Sequence, residues 1–269
     1  MGLLNAALAD LRSLDELAAR DTPLTRLDPR AKVITTFVFI VVVVSFERHA
    51  VAALLPLAVF PVALAVLGDV PAAPLLRKLA LAAPFALMVG LFNPWLDRAP
   101  IVVFGDTSLA AGWWSFASIL LRFALTVGAS LVLVAGTGMV ALCAALARLG
   151  VPRVFTVQLL LLYRYAFVIG AEAARMSTAR QLRCAGRRAS IDSYGPLLGH
   201  LLLRAFDRAR RIHLAMTARG FDGELRSLRT LHWRRRDSWF LLGSCSGFAV
   251  LRWIDLPWWI GTVLLGGWA

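Results

Sequence analysis

The run from Trp113 to Ala135 carries a single charge, Arg122, in twenty-three residues. A helix that crosses a bilayer needs about 20 mainly apolar residues, with about 17 as the lower bound. In hydrocarbon its backbone must satisfy its own N–H and C=O groups, which one segment can do only as a helix. Similar runs precede it. Val33–Phe46 is short for a span and must borrow from its flanks. Ala50–Leu67 is closed by G-D-V-P-A-A-P. Leu79–Leu96 follows a basic turn at Arg77-Lys78 and ends in N-P-W-L-D-R. Between Asp97 and Gly112 a polar connection holds a β-like fragment, I-V-V-F-G-D-T. Gly128, Ala129 and Ser130 are small enough to admit a neighbouring helix closely. The chain is 59% hydrophobic and 17% charged, against about 45–50% and 25% in soluble domains. The expected class is an all-α polytopic membrane protein.

Charge placement then sets the topology. The formal charge is +13, and only Lys32 and Lys78 are lysines. Between Ala171 and Arg236 lie fifteen arginines and five acids, so this one segment holds a surplus of ten. Cytoplasmic loops are enriched in basic residues. The N-terminal arm, of mixed charge and amphipathic rather than signal-like, carries Arg12, Arg20, Arg26, Arg30 and Lys32 and is expected in the cytoplasm. Four spans return the chain to the cytoplasm near Gly136. If the next apolar run, Val154–Gly170, crossed as well, the arginine block would lie outside. That run is short, contains Gln158 and Arg164, and continues without a breaker to Arg183. It reads as the first half of a helix lying along the cytoplasmic membrane surface. Met139–Leu149, stopped by Gly150-Val151-Pro152, is an earlier surface helix. A third runs from Pro196 to Arg219, with Leu198, Leu202, Ala205, Phe206, Ala209, Ile212 and Met216 at helical spacing. From Ser238 the chain re-enters the membrane, and Arg252, Asp255 and Pro257 leave open one bent span or a span with a re-entrant piece.

Several chemistries lack their motifs. No G-x-x-x-x-G-K-[ST] occurs, so this chain is not by itself a P-loop ATPase. His49, His200, His213 and His232 are dispersed, and Cys143, Cys184 and Cys245 form no C-x-x-C, so no metal site and no catalytic residue is expected. No paired carboxylates sit within the spans, where proton-coupled transporters keep ionisable groups. Arg122 fits an interhelical or snorkelling arginine better than a translocation site. Aromatics do not interleave with the arginines in a pattern that reads nucleic acid, whereas membrane lipid is a natural partner of a basic block.

Two surface helices end alike, in L-R-C-A-G (Leu182–Gly186) and in A-R-G (Ala218–Gly220). Arg in a last turn followed by Gly is a good helix stop, and the cation complements the helix end. The same geometry lets a slim tip enter a partner's groove with a five-donor fork.

Nearly the whole chain resembles the transmembrane T component of energy-coupling factor (ECF) transporters, of the cobalt/nickel type, the CbiQ family. The residues that carry the likeness are L-D-P-R-A-K at Leu27–Lys32, R-L-G-V-P-R at Arg148–Arg153, Y-R-Y at Tyr163–Tyr165, and A-M-T-A-R-G-F-D-G ending at Gly223. The resemblance implies about five transmembrane helices plus cytoplasmic coupling helices. It divides the chain into an arm (1–32), a bundle of about four spans (33–135), a coupling region (136–236) and a C-terminal membrane segment (237–269). It implies that Ala218, Arg219 and Gly220 form one ATPase-coupling motif, and that Leu182, Arg183 and Cys184 form the other, with Ala179-Arg180-Gln181 as a competing register. The implied partners are two ABC-type ATPase subunits, which bind the ATP, and a substrate-binding membrane S component with a possible small accessory membrane subunit. No cofactor is expected in this chain, and the implied location is the bacterial inner membrane. Cobalt, nickel or a vitamin such as biotin as cargo stays open. From another class, a self-contained membrane enzyme or channel with a lipid-binding basic block also stays open.

Overall fold

A computed structural model describes residues 15–47, 51–93, 100–104, 107–183, 194–223 and 232–253. In chain order its elements are α1 (Pro29–Ser45), α2 (Val51–Leu54), a 3-10 turn (Pro56–Ala58), α3 (Val59–Leu67), α4 (Ala72–Leu91), β1 (Pro100–Phe104), β2 (Thr107–Ala110), α5 (Ala111–Thr137), α6 (Met139–Arg148), α7 (Arg153–Arg183), α8 (Tyr194–Ala218) and α9 (Arg235–Trp253). The fold is helical, as the apolar runs require. The β-like fragment forms one antiparallel hairpin, from Pro100 opposite Ala110 to Phe104 opposite Thr107, irregular between Val102 and Phe104.

Two compact units emerge: Leu17–Gly138 with Leu231–Ala269, and Met1–Glu16 with Met139–Thr230. The first contains α1–α5 and α9. Its centre is a triad of rings, with Phe39–Phe60 and Phe60–Phe248 centroids 4.7 and 4.9 Å apart. Such pairs contribute about 0.5–1.5 kcal/mol beyond their buried area. Leu54, Leu57, Leu125 and Ala129 close around them. The outer faces are apolar too: Leu81 and Phe85 of α4 are 82% and 74% exposed. Exposed apolar surface on that scale belongs against lipid, not water. Among the described residues α4, α5 and α7 are each long and apolar enough to cross a bilayer, with Val51–Leu67 and Met139–Arg148 as shorter apolar helices. This is a multi-pass, all-α membrane protein.

Four local expectations need correction. The Ala50–Leu67 run is not a regular α-helix throughout: Pro56 lacks the N–H that would continue α2, and Pro56–Ala58 tighten into a 3-10 turn while the backbone stays helical into α3. Arg77 and Lys78 lie inside α4 rather than on a turn. That helix begins at Ala72 because Pro74 falls in the first turn, where an N–H would have no intrahelical acceptor. It also stops at Leu91 rather than Leu96. Finally, Gly128 is not a point of close approach: a methyl there would meet nothing within 4 Å. Tight positions include Gly68 and Gly90, where a Cβ would lie 2.8 Å from Leu24 and from the Phe116 ring, and Gly136, where it would lie 2.4 Å from Leu24.

L-D-P-R-A-K organises one end of this unit. Asp28 caps α1, accepting the Arg30 N–H at 2.9 Å, and Pro29 supplies the fixed φ that suits a first helical position. The Asp28 N–H donates to Asp237 Oδ1 at 2.8 Å, and Arg234 N–H donates to Asp237 Oδ2 at 2.7 Å. One carboxylate therefore ties the start of α9 to the start of α1. The buried Lys32 ammonium donates to the Gly136 carbonyl at 3.0 Å, near the end of α5. At its far end α1 stops after 17 residues, about 26 Å and short of a roughly 30 Å hydrocarbon core. Its last carbonyls need donors there. Arg122 of α5 donates to Phe46 O at 2.9 Å and to Glu47 O. Arg252 of α9 donates to Ser45 O at 3.4 Å and stacks 4.7 Å over the Phe46 ring. The expectation of an interhelical arginine at 122 holds, and its work is to cap a helix that ends short.

Candidate functional site

The second unit is built on α6, α7 and α8. α6 stops by the device its sequence advertises: Gly150 takes φ +98°, and Val151 N–H reaches back to Leu146 O at 3.1 Å. Pro152 then precedes α7, which runs for 31 residues, about 46 Å. α8 has 25 residues, about 37 Å, and packs antiparallel to α7. Pro196, Leu197 and His200 near its start share a cavity of about 590 Å³ with Met176, Ala179 and Arg183 near the end of α7. Met216 and Phe221 at its other end share a cavity of about 470 Å³ with Val154 and Leu161 near the start of α7.

The tip of α8 is a complete Schellman stop. Gly220 sits at φ +78°. Its N–H bonds to Thr217 O, and Phe221 N–H bonds to Met216 O, both at 3.0 Å. A side chain at 220 would strain this turn, so the glycine fixes where the helix ends. Arg219 is thereby held at the C-cap, exposed, between exposed Ala218 and Gly220. Its guanidinium has no ion-pair or hydrogen-bond partner among the described residues. At the opposite end of the pair, Leu182 and Arg183 close α7, both exposed, Leu182 by 78%. Cys184 and Gly186 lie outside the described residues. Arg180, the competing register, is half-buried, with its guanidinium 5.0 Å over the Tyr194 ring. The two arginine tips are not brought together, because the antiparallel packing sends them to opposite ends.

Side chains that periodicity does not single out hold the unit. Glu172 on α7 receives Arg175 at 2.5 Å and Arg204 of α8. Tyr163 of Y-R-Y donates to Asp15 Oδ2 at 2.6 Å, fastening the arm to α7, and packs edge-on against Phe167 at 5.1 Å. Of the helical stripe expected on α8, Ala205, Ile212 and Met216 turn toward α7, but Leu198, Leu202 and Phe206 are 56–61% exposed. The stripe is wider than one neighbour covers.

Comparison with known proteins places the chain in a family. The family model of CbiQ, described as cobalt transport protein, matches residues 20–231. Over 91 residues the chain is 41% identical to the cobalt transport protein CbiQ of Rhodobacter capsulatus, covering 33% of this chain and 37% of that one. Over 97 residues it is 31% identical to an uncharacterised protein of Methanocaldococcus jannaschii, covering 35% and 36%. The chain thus matches little more than a third of either relative's length. The family model spans α1 to α8, including both arginine-tipped helices, and the chain belongs to the CbiQ family of cobalt transport proteins.

Proposed function

We propose that this chain is the coupling subunit of an ATP-driven ECF-type importer of cobalt ions in a bacterial inner membrane. Two ABC-type ATPases dock on the arginine tips of α7 and α8 from the cytoplasm, and a separate membrane S component carries the ion. The observation that carries this reading is the pair of exposed tips, Arg183 and Arg219, at opposite ends of two rigid antiparallel helices. Neither guanidinium has a partner among the described residues. Each is free to offer its fork to a carboxylate or carbonyl of another subunit. Tips about 37 Å apart along α8 suit two docking partners rather than one. Rigid helices shift as units, so nucleotide-driven movement of the ATPases would displace both together. The engaged state of Arg180, stacked on Tyr194, favours Leu182-Arg183-Cys184 over the alternative register.

Arg219→Glu tests this. The variant is expected to insert normally, to lose the co-purifying ATPases and to abolish cobalt uptake by cells expressing the whole transporter. Normal uptake by that variant would sink the docking reading. A purified chain that transports without nucleotide-binding subunits would instead favour a self-contained channel.

A further inference from the structure

We infer that the cavity between the first half of α7 and the last half of α8 is a binding site for one anionic phospholipid. Val154, Leu161, Leu162, Ile212 and Met216 surround its acyl chain, and Arg208 takes its phosphate. The walls are mostly apolar, with Gln158, Tyr165 and His213 as the other polar side chains beside Arg208, and the cavity measures about 470 Å³, within the roughly 300–1,000 Å³ typical of pockets that hold a discrete ligand.

Arg208 is the anomaly that identifies the occupant. It lies on the face of α8 turned toward α7, half-buried, one turn from Ala205 and from Ile212. A helix normally keeps a cation off its packing face unless the charge is paired. Arg208 has no ion-pair or hydrogen-bond partner among the described residues. The nearby Glu172 is already held by Arg175 and Arg204. Arg208 also lines a second, smaller cavity of about 220 Å³ with Arg204, Asp207 and Arg211. An apolar slot thus opens at one arginine onto a cluster where three arginines face two carboxylates. A ligand with a hydrocarbon tail and a phosphate head satisfies both halves. The planar guanidinium matches a phosphate in two parallel hydrogen bonds. A neutral apolar helix of a partner protein would fill the slot but leave Arg208 without an anion.

Native mass spectrometry of the full chain, released from detergent with added phosphatidylglycerol or phosphatidylcholine, tests the site. Wild type is expected to retain one phosphatidylglycerol in preference to phosphatidylcholine. One basic residue near an anionic headgroup accounts for about a fivefold change in affinity, so Arg208→Ala should weaken retention by about that factor. Ala205→Trp, which fills the slot, should abolish it for both lipids. Equal retention of the two lipids, or undiminished retention by Arg208→Ala, overturns the proposal. So does competition by inorganic phosphate alone with no dependence on the tail. A photoactivatable phosphatidylglycerol checks the unmutated protein. Labelling of peptides from both α7 and α8 is expected. Labelling that avoids them, or a photo-crosslinker at position 162 that captures a polypeptide instead of lipid, overturns it.

Discussion

Asp237 sits where two helices begin, and replacing it with alanine removes a support from both. Its Oδ2 accepts the Arg234 N–H at 2.7 Å, the backward-reaching half of a capping box for α9. Its Oδ1 accepts the Asp28 N–H at 2.8 Å, from a residue 209 positions earlier. The carboxylate is 2% exposed, so water does not readily replace it. A cap of this kind contributes about 0.5–2 kcal/mol, and a buried hydrogen bond to a charged acceptor about 1.5–3 kcal/mol. The expected loss for Asp237→Ala is therefore about 2–5 kcal/mol. At about 2–4 °C per kcal/mol for a chain of this size, that lowers Tm by about 4–20 °C. Asp237→Asn keeps one carbonyl oxygen and can accept only one of the two N–H groups, so its loss should be about half. The assay is thermal unfolding in a single detergent, followed by the fluorescence of the nine tryptophans. An alanine variant that melts within about 1 °C of wild type would refute the reasoning, since about 2 kcal/mol is the least the two bonds should supply. An asparagine variant more stable than wild type would show that the cost of burying the charge outweighs the acceptors it provides.

Other outcomes follow from the same geometry. Gly136→Val should cost about 1–3 kcal/mol, because its Cβ would lie 2.4 Å from the buried Leu24 side chain. Gly128→Ala, with open space around it, is the control, and equal melting of the two variants would contradict the assigned packing. Arg122→Leu strips two carbonyls at the end of α1 of their donor. A loss of about 1.5–3 kcal/mol is expected in the same melt, and unchanged stability would mean that water reaches those carbonyls. For topology, a cysteine at Ser190 in a background with Cys143, Cys184 and Cys245 replaced should react with an impermeant thiol reagent only from the cytoplasmic side. Reaction from outside would show that α7 crosses.

What the sequence made legible is local. The uninterrupted stretch from Val154 to Arg183 could only be one long helix, and α7 departs from it by one residue. T-A-R-G-F marks its own stop, since Gly after a helical run supplies the positive φ and lets Phe221 N–H return to Met216 O. The exposed Arg219 follows from those few residues alone. Lys32 shows the opposite case. In the sequence Lys32 counts only as one of the arm's cations, yet its side chain is buried and its acceptor, the Gly136 carbonyl, stands 104 residues away. Nothing in the spacing of Asp28 and Asp237, or of Asp15 and Tyr163, announces their bonds either. Periodicity registers neighbours three and four apart, and those contacts form only when distant helices pack.

The position of these long-range bonds in the chain bears on the proposed coupling role. The first unit ends at Gly138, two residues past the carbonyl that Lys32 holds. It resumes at Leu231, three residues before the N–H that Asp237 holds. The six residues of L-D-P-R-A-K thus reach both places: Lys32 directly, and Asp28 through the shared carboxylate. A lever displaces its load only if its base does not give. In the proposed mechanism, loose chain at such a passage would absorb movement of α7 and α8 as local backbone rotation. Bonds to the capped end of α1 hold the chain beside two of its three passages between the units, the third being at Glu16–Leu17. Under the proposed coupling role, that placement would limit slack at those two passages as well as stabilise α1.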